Sequence, residues 1–253
     1  MSQSNIEWTE ITWNPTTGCT KISDGCVFCY AHPLSLRLKA MGLEKYRNGF
    51  KLTLHPKELM RPYSWRGSKV VFVNSMSDLF HHEVPDEFIQ QVFEVMNETP
   101  QHKYQLLTKR PERIKSLENK LVWTDNIWLG TSVENERVTQ RIQDLINSPA
   151  KTKFLSCEPL IGAIYSLSDY IHAIDWVIVG GESGSGARKI EKEWVDIIFN
   201  VCKKNDVPFF FKQWGKKKFN INEEDPTMHT EHKFYAKGGC QLDGKVYREM
   251  PVV

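Results

Sequence analysis

The sequence predicts an α/β fold: a parallel (β/α) barrel, partial or complete, with about six to seven βα units and a C-terminal extension. Short apolar runs of strand length alternate with longer amphipathic stretches, and polar residues follow each apolar run. Nearly continuous apolar runs are typical of strands buried on both faces. Alternation of such strands with helices predicts parallel pairing through right-handed crossovers.

Seven segments have the composition of strands. The first, residues 6–13, is rich in β-branched and aromatic side chains. The others are residues 69–74, 104–108, 127–131, 153–156, 176–180 and 208–212, and residues 51–56 are a short extra strand or an extended excursion. Helical spacing of apolar residues is found in residues 31–41, 86–97, 111–118, 136–146 and 191–203, and more weakly in residues 160–171.

Composition bounds the class of protein. The chain has 253 residues, of which 40% are hydrophobic and 25% charged, as in soluble globular proteins. A net charge of +2 is too small to indicate a nucleic-acid or membrane partner. No apolar run approaches the roughly 18 residues that span a bilayer, and residues 1–7 lack the pattern of a secretory signal. We therefore expect a cytoplasmic protein, with a barrel over residues 1–215 and an extension or lid over residues 216–253.

Three of the six cysteines cluster in one short stretch. Cys19, Cys26 and Cys29 follow the spacing C-x6-C-x2-C, whereas the other three cysteines are scattered. A disulfide framework is not favoured, because the chain is long and has no secretory signal. Three thiolates on one loop can hold a metal centre and leave one coordination position open. The spacing therefore predicts a metal site at Cys19, Cys26 and Cys29.

Two kinds of metal centre fit these cysteines. A structural zinc ion needs a fourth ligand, for which His32 is the candidate. A [4Fe-4S] cluster would take the three thiolates and keep one iron open. Gly18 and Gly25 relieve the backbone crowding of a loop around a cluster, and aromatic neighbours limit water. The loop follows a strand and leads into a helix, which favours the cluster over a separate zinc module.

Polar residues follow the strands where a barrel of this kind has its active face. Three of them are acids, Glu134, Glu158 and Glu182. Helix capping explains serines and asparagines at such positions, but it does not explain three acids. We therefore treat these strand ends as one candidate site.

The motifs together resemble the radical S-adenosylmethionine superfamily, and more closely a phage and prophage family of uncharacterised three-cysteine proteins. The resemblance covers most of the chain to Gly215. It is carried by residues 8–9, 13–19, 26–31, 74–80, 107–111, 156–160 and 180–184. It implies a [4Fe-4S] cluster on Cys19, Cys26 and Cys29, bound S-adenosylmethionine, and formation of a 5′-deoxyadenosyl radical that abstracts hydrogen from a substrate. It also implies an electron donor of the flavodoxin or ferredoxin type.

The sequence departs from that superfamily at two points. The first cysteine gap holds six residues where most members have three, and the Gly-Gly-Glu triplet usual after the second strand is absent. Ser75, Ser77 and Asp78 stand at the triplet's place and are the candidates for the methionine amine. Strand-end position makes a second set of residues candidates for cofactor binding: Glu134, Asn135, Ser156, Glu158 and Glu182.

The substrate side is less defined. The candidate catalytic residues are Asp78, His81, Lys109 and Gln213. Asp78 and His81 are candidates for general acid–base catalysis, and Lys109 and Arg110 either receive a phosphate or carboxylate or form a solvated face. Trp214 either stacks on a base or closes the barrel, and Lys216 to Lys218 either contact a nucleic-acid backbone or form a solvated loop. A nucleotide or nucleic acid is the candidate substrate. The alternatives are a zinc-stabilised nucleic-acid-binding barrel protein or hydrolase, and a cluster protein without catalysis.

Overall fold

The computed structural model describes residues 6–228 and 238–252. The strands are β1 (Ile11–Trp13), β2 (Thr16–Thr17), β3 (Thr53–Leu54), β4 (Val70–Val73), β5 (Lys103–Thr108), β6 (Ile127–Ser132), β7 (Lys153–Cys157), β8 (Trp176–Gly180), β9 (Phe209–Gln213), β10 (Gln241–Leu242) and β11 (Lys245–Val246). The helices are α1 (Ala31–Ala40), α2 (Asp86–Glu98), α3 (Ile114–Leu117), α4 (Gln140–Ile146), α5 (Leu167–Tyr170) and α6 (Lys192–Lys204).

Seven of these strands form one parallel sheet whose spatial order follows the chain. The order is β1-β4-β5-β6-β7-β8-β9, and helices connect successive strands from β4 onward. β1 and β9 are the first and last strands in this order. The predicted α/β fold class is therefore confirmed.

The chain divides into two compact units. The first comprises Met1–Ile22, Cys29–Gly130 and Asn147–Thr152; the second comprises Ser23–Phe28, Thr131–Ile146 and Lys153–Val253. The predicted division at residues 215 and 216 stays a prediction. Residues 1–5, on which part of the signal-peptide prediction depends, lie outside the described part of the chain.

The first unit is built around α2 and the strands β1, β4 and β5. Ile11 pairs with Val71, and Val71 with Tyr104, in parallel register. Pro85 precedes α2, and the side chains of Val92, Phe93 and Met96 on this helix are almost completely buried. Burying a side chain of this size contributes on the order of 1.5–3 kcal/mol, which explains why the helix follows the apolar spacing.

The second unit is built around β7, β8 and β9. Leu155 pairs with Val177, and Val177 with Phe209, again in parallel register. α6 buries Val195, Ile198 and Cys202 in this unit. An antiparallel hairpin, β10–β11, follows later in the chain, and Arg248 forms an antiparallel bridge with Phe210 of β9.

Several predicted elements are shorter than expected. The first strand covers only Ile11–Trp13, because the N–H of Thr9 bonds to Ile6 O in a turn and Trp8 packs on Phe72 with ring centroids 4.7 Å apart. Residues 111–113 and 136–138 form 3₁₀ turns ahead of α3 and α4, and residues 160–171 are helical only from Leu167. Between β3 and β4, Pro62–Ser64 forms a further 3₁₀ turn. No helix among the described residues is long and apolar enough to cross a membrane.

Candidate functional site

The cysteine loop begins at a glycine that no other residue can replace without strain. Gly18 has φ +82°, and a Cβ at this position would lie 2.2 Å from the carbonyl oxygen of Lys51. Its N–H donates to Met76 O at 3.0 Å, and Gly18 forms a parallel bridge with Ser77. The N–H of Cys19 donates to Phe50 O at 3.3 Å. The backbone that presents Cys19 is thus fixed by hydrogen bonds on both sides.

Arg110 connects Cys19 to a buried carboxylate. Its Nη1 donates to Cys19 Sγ at 3.5 Å and to Asp78 Oδ2 at 3.1 Å. Its Nη2 donates to the carbonyl oxygen and the hydroxyl of Thr20, at 2.9 and 3.0 Å. Burial alone would lower the pKa of Arg110, but Asp78 and Cys19 outweigh it and raise that pKa, so the guanidinium stays charged. The sequence singled out Arg110 only as a receiver of phosphate or carboxylate.

Asp78 holds its surroundings in place with both oxygens. Oδ1 accepts from Thr108 Oγ1 at 2.8 Å and from the N–H of Phe80 at 3.0 Å. Oδ2 accepts from the N–H of Lys109 at 3.1 Å in addition to Arg110. Asp78 is 6% exposed. Its predicted catalytic and cofactor-binding roles stay predictions, and the geometry favours a positioning role through Arg110.

His81 belongs to the same network. Its Nε2 lies 2.8 Å from Thr20 Oγ1, and its Nδ1 accepts from the N–H of Glu83 at 3.2 Å. Because Nδ1 is an acceptor, the neutral ring carries its proton on Nε2. Burial, then the charges of Arg110 and His82, lower the pKa of His81, so the neutral form is favoured. His81, His82 and Glu83 bring possible ligand atoms within 4.8 Å of one another, but both His81 nitrogens already have protein partners.

The two serines predicted to contact the methionine amine tie the loop to the end of β4. Ser77 Oγ donates to Gly18 O at 2.8 Å and accepts from Thr16 Oγ1 at the same distance. The hydroxyl of Ser75 lies 3.2 Å from the side-chain nitrogen of Asn14. The backbone carbonyl oxygen of Ser75 accepts from the Tyr30 hydroxyl at 2.5 Å. Cofactor binding by these serines stays a prediction.

Glu134 bonds to the middle of the cysteine loop. Both Glu134 and this part of the loop, Ser23–Phe28, belong to the second unit. Glu134 is fully buried; Oε1 accepts from the N–H of Gly25 at 3.2 Å, and Oε2 pairs with Arg141 Nη1 at 2.8 Å. A Cβ at position 25 would lie 3.0 Å from the Glu134 carboxylate carbon. Glycine at this position therefore permits the close approach of the carboxylate to the 3₁₀ turn Asp24–Cys26.

Glu182 acts on the same segment through Arg188. Both carboxylate oxygens accept from the Arg188 guanidinium, and Oε2 also accepts from the N–H of Arg188 at 2.9 Å. Arg188 Nη2 donates to Asp24 O at 2.9 Å, and its guanidinium carbon lies 5.4 Å from the centre of the Phe28 ring. The side-chain bond to Glu182, ahead of the cost of burial, raises the pKa of Arg188. No sequence signal had pointed to Arg188.

The remaining predicted residues have separate surroundings. Glu158 Oε1 pairs with Lys212 Nζ at 3.0 Å, and Glu158 Oε2 accepts from Ser156 Oγ at 3.4 Å. Asn135 caps the 3₁₀ turn Glu136–Val138 by accepting from the N–H of Arg137. Gln213 is buried and donates to Gly181 O at 3.4 Å. The ammonium of Lys109 has no ion pair within the described part of the chain.

The six cysteines fall into two classes. None is in a disulfide; Cys19, Cys26 and Cys29 are partly exposed, whereas Cys157, Cys202 and Cys240 are buried. Burial raises the pKa of Cys157 well above 9.0 and that of Cys202 to about 12, so these thiols are poor ligands and nucleophiles. Only the three clustered cysteines combine exposure with a sequence spacing suited to a metal.

The residues of the loop fit an iron–sulfur cluster. Three thiols of the softest ligand type are available, and a charged guanidinium donates to one of the sulfur atoms. Hydrogen bonds to cluster sulfurs stabilise the added negative charge and help set the reduction potential. His32, the candidate fourth ligand of a zinc ion, lies edge-on to Phe50 with ring centroids 5.2 Å apart. The site thus has the donors of a three-cysteine cluster.

The chain belongs to the family described as Protein of unknown function (DUF5131), which matches residues 3–251. No curated protein matches the sequence. Among solved structures, the chain is similar to a spore photoproduct lyase complexed with dinucleoside spore photoproduct, at 12% identity and a TM-score of 0.42. A mutant of that lyase with bound AdoMet and dinucleoside spore photoproduct is similar at 11% identity and a TM-score of 0.43.

These two alignments cover 75% and 86% of this chain. They cover 59% and 64% of the lyase chains, so this chain spans less than two thirds of the proteins that it resembles.

Proposed function

We propose that the chain is a radical S-adenosylmethionine enzyme that holds a [4Fe-4S] cluster through Cys19, Cys26 and Cys29. One observation carries the proposal: these three thiols are partly exposed on one loop, while the other three cysteines are buried. When bound, the cluster would supply one-electron reductive cleavage of S-adenosylmethionine and hydrogen abstraction from a substrate. The substrate, for which a nucleotide or nucleic acid is the candidate, and the electron donor are parts of this proposal.

The chain's own residues would hold the loop and control its charge. Arg110 places a positive charge beside Cys19, which favours the thiolate form that a metal requires. Glu134 and Arg188 fix the backbone at Gly25 and Asp24. The Arg188 guanidinium also contacts the face of the Phe28 ring, which adds a cation–π interaction to this part of the loop.

Anaerobic reconstitution with iron and sulfide tests the proposal. We expect a brown protein that contains about four iron atoms per chain and absorbs at about 400 nm, as such clusters do. With S-adenosylmethionine and dithionite it should release 5′-deoxyadenosine, measured by liquid chromatography. One equivalent of zinc with no release of 5′-deoxyadenosine would instead favour the zinc-stabilised alternative. A bound cluster without release of 5′-deoxyadenosine would favour the alternative of a cluster protein that has no catalytic activity.

Cysteine variants test the assignment of the ligands. Cys19→Ala, Cys26→Ala and Cys29→Ala should each abolish the intact cluster, because the two remaining thiolate ligands are too few to hold a [4Fe-4S] cluster. Cys240→Ala should keep a full cluster, since Cys240 is completely buried. Iron and sulfide content per folded chain is the measurement. Full iron content in any of the first three variants contradicts the assignment.

A further inference from the structure

The second unit contains a cavity that the proposed cluster does not use. Its volume is about 480 Å³, and it is lined by Ser183, Gln213, Gly215, Lys216 and Lys217. Ser183 lies three residues after the end of β8, and the other four lie at or after the end of β9. These two strands are parallel neighbours, so the cavity lies at their carboxyl ends. This is the edge of an open parallel sheet at which ligands bind.

The residues that line the cavity are rich in hydrogen-bond donors. Lys216 and Lys217 bring two positive charges, and the described residues that line the cavity include no carboxylate. Lys216 Nζ donates to Ser185 O at 2.5 Å, which leaves two of its three N–H groups for a ligand. Within the described residues, neither the Lys217 ammonium nor the Ser183 hydroxyl has a protein partner. The cavity therefore favours an anion.

Two acids that follow the neighbouring strand ends, Glu182 and Glu158, do not cancel this charge, because each has its own cation. Both oxygens of Glu182 accept from Arg188, and Glu158 pairs with Lys212. The two lysines of the cavity thus remain in excess.

The turn that carries the lysines is fixed by the rest of the unit. The N–H of Trp214 donates to Gly239 O at 3.1 Å, and its indole Nε1 donates to Gln241 O at 2.8 Å. Gly215 has φ +96°, and a Cβ there would lie 2.4 Å from Glu182 O. A Cβ on Gly238 would lie 2.1 Å from Gly215 O. The lysines therefore follow a close-packed turn rather than a freely solvated loop.

We propose that this cavity binds the phosphate group of a phosphorylated ligand. Its volume lies within the range of about 300–1,000 Å³ that is typical of small-molecule sites. Ammonium, hydroxyl and amide donors are the groups that bind phosphate oxygens, and none of the lining residues within 6–228 and 238–252 is aromatic. Trp214, the candidate for stacking on a base, is fully buried and packs on Phe211 with ring centroids 4.8 Å apart. Recognition would therefore depend on the phosphate rather than on a base.

Binding is measured without S-adenosylmethionine or reductant, so failure of this proposal and failure of the proposed function are distinguishable. Isothermal titration calorimetry at low ionic strength uses three probes: inorganic phosphate, thymidine 5′-monophosphate, and a single-stranded oligonucleotide. Their relative affinities distinguish free phosphate, a nucleotide and a nucleic-acid strand as the source of the group. Succinate, a dicarboxylate, is the control ligand.

Lys216→Ala/Lys217→Ala is the test variant. The matched control is Lys204→Ala/Lys245→Ala, which removes the same charge from two exposed lysines elsewhere in the unit. We expect the test variant to bind its best probe at least about tenfold more weakly, a change of about 1.4 kcal/mol, and the control to bind within about twofold of the original protein. Lys217→Ala alone, which removes no described hydrogen bond, should weaken binding in the same direction with an unchanged unfolding midpoint.

Three results would overturn the proposal. The first is that none of the probes binds. The second is an equal loss of affinity in the test and control variants, which would indicate only general charge attraction. The third is binding of succinate as tightly as phosphate, which would assign the cavity to carboxylates.

Discussion

Arg110 connects the start of the cysteine loop to a buried carboxylate. It bonds to the Cys19 sulfur, to the carbonyl and hydroxyl of Thr20, and to the carboxylate of Asp78. Arg110 is 5% exposed and Asp78 is 6% exposed, so neither charge is well solvated. Such a pair is strongly coupled, because removing one partner leaves the other charge buried and unpaired.

Replacing Arg110 by methionine should therefore destabilise the protein severely. We expect a loss of about 3–5 kcal/mol in the free energy of unfolding, because the Asp78 carboxylate loses its counter-charge. Urea unfolding followed by circular dichroism measures the change. Arg37→Met, on an exposed position of α1, is the control and should cost less than about 0.5 kcal/mol. Similar losses in the two variants would contradict the role of the buried pair.

Asp225 makes the folding stability of the protein depend on pH in the acid range. It is fully buried and accepts from Asn220 Nδ2, from Thr227 N and Oγ1, and from the N–H of Gln241. Burial alone would raise the pKa of Asp225, but these donors outweigh it and lower that pKa below its usual 3.8. A carboxyl group whose pKa is lower in the folded state binds fewer protons there than in the unfolded chain. Its stabilising effect is complete above the unfolded pKa and is lost as the pH falls through the folded pKa.

The variant Asp225→Asn tests this pH dependence. At pH 6 the variant should be less stable by about 1–3 kcal/mol, because one buried acceptor becomes a donor that faces other donors. The difference between the variant and the original protein should narrow as the pH falls below about 4, where the carboxylate is lost. Urea unfolding at a series of pH values is the measurement. A difference that stays constant down to pH 2 would contradict the assignment.

At this scale the sequence predicted the kind of residue better than its contacts. The spacing of the three clustered cysteines and the acids after strands could be recognised, because both are local patterns. The partners of those acids could not: Gly25 and Glu134 are 109 positions apart, and Asp24 and Arg188 are 164 positions apart. No local pattern distinguishes an acid that binds a cofactor from one that holds a loop. Trp214 shows the same limit, since only the fold reveals that it is buried.

Among the elements, the cysteine loop depends on a single backbone conformation at Gly18. Two glycines of the first unit have similar positive φ angles, +82° at Gly18 and +77° at Gly42. A Cβ at Gly42 would meet nothing within 4 Å, whereas one at Gly18 would overlap the backbone of Lys51. The pair separates the cost of the φ angle from the cost of the close approach.

Gly18→Ala should therefore be much more damaging than Gly42→Ala. We expect Gly42→Ala to cost about 1 kcal/mol from its φ angle alone, and Gly18→Ala to cost at least about 2 kcal/mol more and to reduce iron binding after reconstitution. Urea unfolding and iron content are the measurements. Equal costs would show that the close approach to Lys51 can relax.

Periodicity predicted the long, buried elements well and the short ones poorly. α2 and α6 lie within one residue of their predicted bounds, because each buries a continuous apolar face. Residues 160–171 were the weakest helix prediction, and only Leu167–Tyr170 is helical. Near β1, Thr9 Oγ1 donates to Val70 O, so a side chain replaces strand pairing that the β-branched composition predicted.

For the whole molecule, the C-terminal segment covers one edge of the sheet. The N–H of Phe211 in β9 donates to Tyr247 O at 3.0 Å, and the N–H of Phe209 donates to the Glu249 carboxylate at 2.9 Å. Trp176 Nε1 donates to Glu249 O at 2.8 Å. An uncovered edge strand offers unpaired N–H groups to other chains. Part of the predicted extension or lid thus pairs with the last strand of the sheet.

Deleting residues 247–253 should therefore expose β9 and promote association. We expect the truncated protein to form soluble oligomers or aggregates that light scattering after size-exclusion chromatography detects. Deleting only residues 251–253 is the control, since it leaves Tyr247 and Glu249 in place. A monomeric, equally soluble 247–253 deletion would contradict this role of the segment.

The parallel pairing of the sheet could be predicted because short, mostly apolar strands alternate with helices along the chain. The choice between a partial and a complete barrel could not, since it depends on whether the two edge strands meet. The pairing of residues 247–249 with β9 also had no sequence signal, because two or three residues are too few to show a period.

The hydrogen bonds to the cysteine loop have a consequence for how a metal centre would be acquired. Gly18, Thr20, Asp24 and Gly25 bond to protein groups, so the loop backbone is organised in the chain alone. Small zinc modules are unfolded without their metal, and their binding energy is consumed by folding. Here the conformational entropy of the loop is already lost when the apoprotein folds. Metal loading would then be a ligand-exchange event on a folded protein, and its affinity would reflect the thiolates themselves.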